Sequence, residues 1–352
     1  MAVSGVALAA WLGITAGTEA TAAPCRWRVL LDAPGPQLSA VASLADDDVW
    51  AVGDDGTRAS ILHWDGRHWR RTASPVFAYD VDASSPRDVW AVGASASGGL
   101  QTRPRAEHWD GVRWRRVPVA GAPGSYLRAV AALSPSNAWA VGAKEPGTLL
   151  EHWNGRVWKT VAGGPRNGLL HGIDALSPAV VWAVGTQGMM SLTRSENPLV
   201  ERLQSGRWKR QATPYLDSAD ENLLAVDAVS ADDVWAVGSA DVEGGRAPLV
   251  QHWDGRAWSE GSISGLPESQ AALTSVAAFG PAKVWAAGYQ GFAATERVLL
   301  AYWNGTRWTQ VSGRSGGLND LAALSARDIW AVGGFVAATG PTRSLVEHYS
   351  CG

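Results

Sequence analysis

Apolar and small residues alternate in short runs along the chain, and the runs return in a fixed order. Val-Trp-Ala-Val-Gly at 49–53 is the clearest, with matches around Trp90, Trp139, Trp182, Trp235, Trp285 and Trp330. Trp and Val share one parity there and small residues the other, which is the period of a half-buried strand and not of a helix. After each run comes a second unit: His-Trp-Asp-Gly-Arg-His-Trp at 63–69, HWDGVRW from 108, HWNGRVW from 152, HWDGRAW from 252 and YWNGTRW from 302. A degraded copy, RLQSGRW, begins at Arg202. Repeats spaced by roughly forty to fifty residues indicate a propeller or solenoid.

Each repeat reads as four strands. The first is marked by Leu, Val or Ile, and Leu, as at Leu127, Val130 and Leu133 or Leu170, Ile173 and Leu176. A turn such as Ser84–Asp88 or Ala231–Asp233 leads into the Trp-Ala-Val-Gly strand, and Asp-Gly or Asn-Gly joins the third strand to the fourth. Asp-Gly predicts a two-residue type I′ hairpin with positive φ at both positions. In that register Trp64 pairs with Arg67, Trp69 lies diagonally opposite, and the guanidinium sits between two indoles. Four strands in each of seven repeats predict an all-β, seven-bladed β-propeller of antiparallel blades. The seventh repeat has only three strands (318–324, 329–333 and 345–349), and Cys25-Arg26-Trp27-Arg28-Val29 matches the missing fourth. The N-terminal strand is therefore expected to close the last blade. Cys25 and Cys351 then flank the broken turn and are predicted to form a disulfide.

The remaining composition changes this picture in a few places. Residues 1–22 contain an apolar run, Val3 to Ala16, and then Ala20-Thr21-Ala22, the outline of a secretory signal peptide, although Lys and Arg are missing near Met1. Residues 23–352 are expected to be a single propeller domain, secreted, monomeric and without a membrane span. Export permits the disulfide. With 30 Lys and Arg against 33 Asp and Glu, a net charge of -3 gives no bulk footprint for nucleic acid or an anionic membrane. Of the 20 Trp, 19 stand at repeat positions, so blade packing explains them more simply than sugar stacking does.

On these motifs the chain resembles secreted, actinobacterial-type propeller proteins built from DVWAVG…HWDGxxW units. The Trp-Asp-Gly-x-x-Trp turn is also similar to the Asp box of sialidase-type propellers, and the architecture is similar to Kelch-like ones. These resemblances imply the fold. They imply no activity, because the chain has no Phe-Arg-Ile-Pro motif and both cysteines are already assigned to closure.

Candidate chemistry is sought where the repeat does not dictate the residue. Loops between second and third strands, and connections between blades, vary in length and are expected to share one face around the channel mouth. Eleven positions before each repeat Trp the chain has Ser39, Tyr79, Arg128, His171, Leu224, Thr274 and Asn319. Ten and eight positions before stand Asp80, Asp82, Asp174, Asp227 and Asp320. Five histidines (63, 108, 152, 252 and 348) share one third-strand position and are read as structural; His171 has no such explanation. Two functions follow. The first is a non-catalytic binding propeller holding an extracellular glycan, cell-wall component or protein through Tyr79, Asp80, Arg128, His171, Asn319 and Asp320, with Lys144 and Glu145 on a nearby loop. The second is a carbohydrate-active hydrolase or lyase using Asp82, Asp174 and Asp227 with His171. No histidine spacing indicates a metal and no cofactor is expected; the channel carboxylates leave room for calcium. No nucleic-acid partner is expected.

Overall fold

The computed structural model describes residues 25–56, 58–72, 76–95, 101–144, 147–188, 196–215, 220–291, 295–311, 314–336 and 341–351. The expected signal peptide lies outside the described residues. Seven four-stranded antiparallel sheets form a ring. Blade 1 comprises Gln37–Ala45, Asp48–Asp54, Ala59–Trp64 and Trp69–Thr72. The innermost strands of blades 2 to 6 are Phe77–Ser85, Tyr126–Ser134, Gly168–Ser177, Glu221–Ser230 and Ala271–Ala278. Blade 7 contains Gly317–Ser325, Asp328–Val336 and Thr342–Ser350, and its outermost strand is Arg26–Pro34. Arg26 pairs with Ser350 and Trp27 with Tyr349, and the Cys25–Cys351 disulfide stands beside them. The bond links positions 326 residues apart in place of a hairpin turn. Among the described residues no helix is long and apolar enough to cross a membrane.

Tryptophan packs each blade to the next. The second-strand Trp of every blade is buried. It faces the third- and fourth-strand aromatics of the following blade, with Leu203 in place of the third-strand aromatic in blade 4: Trp50 meets Trp109 and Trp114, and Trp90 meets Trp153 and Trp158. Trp330 of blade 7 meets Trp64 and Trp69 of blade 1, so the pattern runs right round the ring. One contact is tilted and the other edge-to-face, arrangements the ring quadrupole favours by ~0.5–1.5 kcal/mol beyond area burial.

The five repeat histidines complete this seam. Each lies across from its Trp, with ring centroids 4.1–4.4 Å apart. Four of them bond the Asp two residues before that Trp, as His108 Nε2 does with Asp88 Oδ1 at 2.7 Å; His152 bonds Asn137. Blade 4 has Val180 in place of the Asp and Arg202 in place of the histidine. There the guanidinium lies 4.6 Å from Trp182 and 5.7 Å from Trp253.

The Asp-Gly turn is wider than its sequence suggests. Trp64 pairs directly with Trp69, leaving four residues in the loop, and Arg67 is exposed. Asp65 Oδ1 accepts hydrogen bonds from the backbone N–H of Arg67 and His68, and of the loop residues only Gly66 has positive φ. The carboxylate replaces the second left-handed residue with side-chain bonds. The cation–π contact expected at Arg67 is found at Arg202. The degraded copy, in contrast, makes the two-residue turn: Ser205 and Gly206 both have positive φ, and Gln204 pairs with Arg207.

Trp90→Ala should reduce unfolding free energy by about 3–5 kcal/mol, as for other buried Trp truncations; urea denaturation measures it. Cys351→Ser should lose up to about 5 kcal/mol on the chain-entropy model. A variant as stable as the oxidised wild type would refute that closure role.

Candidate functional site

All seven innermost strands slip register by one residue at the same place. The skipped residues are Ser39, Tyr79, Arg128, His171, Leu224, Thr274 and Asn319, the set eleven positions before the repeat Trp. The cause lies on the neighbouring strand. A Cβ on the glycine of Trp-Ala-Val-Gly, for instance Gly93 or Gly142, would lie under 3.0 Å from the first-strand carbonyl of Phe77 or Tyr126. Glycine thus lets the two backbones approach, and the bulge aims the extra side chain into the channel. These seven residues help line a cavity of about 620 Å³.

The carboxylates line the same channel but are engaged between blades. Asp80 accepts the Val130 N–H and Asp82 the Ala132 N–H of blade 3. Asp174 reaches Ala228 in blade 5, Asp227 reaches Ala278 in blade 6, and Asp320 reaches Val41 in blade 1, at 2.5–2.9 Å. Ser275 Oγ takes the same part for Leu321 N–H, and it also donates to Asp320. A simple rule emerges: an acceptor ten or eight before the Trp receives the N–H nine or seven before the next Trp. Asn319 is also tied across blades, donating to the Leu38 carbonyl at 2.6 Å.

Burial raises the pKa of every one of these acids. Asp227 is pushed up to about 8, with repulsion from Asp174 second. Asp82 and Asp320 rise to about 6, Asp80 stands well above the ordinary range with repulsion from Asp320 added, and Asp174 is raised. The candidate catalytic carboxylates Asp82, Asp174 and Asp227 thus each accept a backbone N–H from the next blade. Each gives at least one lone pair to the blade interface.

Three of the candidates remain uncommitted. Among the described residues, Arg128 is the one guanidinium of the channel lining, alongside six carboxyl groups. The sixth, Asp54, accepts the Gly56 N–H. Arg128 is exposed and forms no ion pair among the described residues; its guanidinium lies 5.5 Å from the Tyr79 ring. Tyr126, which sequence reasoning missed although it lies two residues from Arg128 on one strand, meets Tyr79 edge-to-face at 6.2 Å. His171 is pushed down to about 3 by burial and by Arg128, so its ring is neutral at pH 7. Its Nδ1 is buried without a hydrogen-bond partner. Lys144 is exposed at the end of a second strand, and Glu145 lies outside the described residues. Among the described residues no group of three or more His, Cys, Asp or Glu is arranged to hold a metal ion.

This ring is shared with solved propellers. YCF48 bound to D1 peptide matches at 16% identity and TM-score 0.62, covering 95% of this chain and 99% of that one. The WD40 repeats of RRP9 match at 14% and 0.64, covering 94% and 99%. The polysaccharide lyase PL25 ulvan lyase matches at 9% and 0.58, covering 90% and 95%. Such identities establish the fold alone. No family model and no curated protein sequence matches the chain.

An acid whose pKa rises on folding stabilises the fold fully below its unfolded value, about 3.9, and this is lost as pH rises through the folded value. Stability should therefore fall from pH 4 to pH 9 through Asp82, Asp320 and Asp227. Asp227→Asn keeps an acceptor for Ala278 and removes the ionisation. It should match wild type near pH 4 and exceed it at pH 9 by on the order of 1 kcal/mol or more. Equal pH slopes in urea titrations would contradict this.

Proposed function

We propose that the protein is a secreted, non-catalytic binding propeller whose channel mouth holds an extracellular glycan, cell-wall component or protein segment. One observation carries this reading: among the described residues Arg128 has no ion-pair partner, in a channel whose six carboxyl groups each accept a hydrogen bond from another group. Beside it are two tyrosines and a buried imidazole nitrogen without a partner. Guanidinium, phenol and imidazole together supply hydrogen bonds and flat apolar faces, the usual equipment of a polar-ligand pocket. The Cys25–Cys351 disulfide fits an oxidising compartment. A propeller neighbour bound to a peptide is in keeping with a protein ligand.

The lyase among the neighbours and the raised pKa of Asp227 favour a second reading, in which a carboxylic acid acts on a bound polysaccharide. The hydrogen bonds across blades weigh against it, since Asp82, Asp174 and Asp227 each already serve as acceptors that join neighbouring blades.

Thermal melting against a panel of glycans and cell-wall fragments separates these readings. A ligand at about 100 times its Kd adds about 2.7 kcal/mol, and Arg128→Ala with His171→Ala should abolish the shift. A shift that survives the double substitution would move the site away from the mouth. Turnover of the same ligand, lost in Asp174→Asn and Asp227→Asn, would establish the enzyme instead.

A further inference from the structure

The near-neutral net charge conceals a strong separation of charge around the rim. The outermost strands and the turns into them read RWR (26–28), RHWRR (67–71), RWRR (113–116), RVWK (156–159) and RWKR (207–210) in blades 7, 1, 2, 3 and 4. These five neighbouring edges hold 13 of the chain's 30 Lys and Arg, two or three on each, and every one is exposed. Blades 5 and 6 hold one cation each in the equivalent stretches, Arg256 and Arg307. On that side the outermost strand of blade 5 ends in an exposed acid, Glu260.

Few acids neutralise the basic arc. Asp65 pairs with Arg70 at 2.8 Å and Asp110 with Arg115 at 2.6 Å. Glu107 and Glu201 lie across from Arg116 and Arg210, but both are buried, and burial raises their pKa. Eleven of the thirteen cations are arginine, whose planar fork suits carboxylate and sulfate groups better than an ammonium does. Of the tryptophans between them, Trp158 and Trp208 are buried in the blade seams, and Trp27, Trp69 and Trp114 are half-buried and packed against the seam clusters. The arc therefore offers charge without the exposed stacking faces that single-stranded nucleic acid needs.

We propose that the outer rim of blades 7 and 1 to 4 docks a linear anionic polysaccharide, at a surface separate from the channel mouth. Charge is complementary, the cations recur once per blade, and a polymer spanning several blades gains from multivalency. The surface does not depend on any ligand at the mouth.

The test uses the mature chain with polygalacturonate and heparin as probes, neutral dextran as reference and a DNA duplex as competitor class. Wild type should bind at least one polyanion, with log K falling linearly against log salt. Arg113→Gln, Arg207→Gln and Lys209→Gln combined should weaken binding at least tenfold and lower the salt slope by about two to three. Arg256→Gln with Arg307→Gln should change neither, and Arg128→Ala should leave polyanion binding intact. Melting curves of the rim variant should match wild type, because all three side chains are exposed. Retention no better than on dextran, an unchanged slope in the triple variant, or tighter binding to DNA than to both polysaccharides would overturn the proposal.

Discussion

An indole inserted between the aromatic pair of the neighbouring blade is the interaction on which this molecule depends. A four-stranded sheet of this size has no core of its own; its apolar face is buried only against the next blade. The Trp seam supplies that burial at each junction, and histidine stacked behind the indole fixes its orientation through an Asp or Asn bond. Because the same contact recurs at Trp330 and blade 1, the array closes as a ring and not as an open solenoid. Blade 4 meets the same requirement with different chemistry, Arg202 covering Trp182 where the other blades mostly use histidine.

The seam ties the scaffold to the site through glycine. Trp and Gly occupy one short strand, Trp facing the next blade and Gly lying against the innermost strand. The close approach at Gly produces the bulge, and the bulge decides which residue faces the channel. The scaffold thus dictates seven positions while leaving their identity open. Ser39, Leu224 and Thr274 stand where Tyr79, Arg128 and His171 stand in other blades.

Much of this was legible from periodicity. Strand count, blade number, the borrowed N-terminal strand and the Cys25–Cys351 bond all follow from comparing repeats with one another. The channel set was also readable, since a fixed offset from Trp identifies it without any knowledge of bulges. The destination of each carboxylate was not. Asp82 and Asp174 look like free acids in the sequence because their partners are backbone N–H groups some fifty residues away, and backbone groups leave no trace in residue type. The length of the Asp65 turn was illegible for a related reason: Asp-Gly specifies a hairpin, but Trp64 pairs directly with Trp69 and leaves four residues in the loop. Charge segregation was hidden as well, because short clusters of arginine about a blade apart in sequence become neighbours only once the ring exists.

Closure by the first strand also imposes an order on folding. The segment Arg26–Pro34 precedes the other described strands in the chain, yet its partner Thr342–Ser350 follows them. Six blades can assemble from local hairpins, while this strand waits for a partner more than 300 residues further along the chain. An unpaired strand edge invites association with other chains. Cys25 and Cys351 are the two cysteines of the sequence, so the bond has one possible pairing within these 352 residues and forms only once the strand at 342–350 has been made.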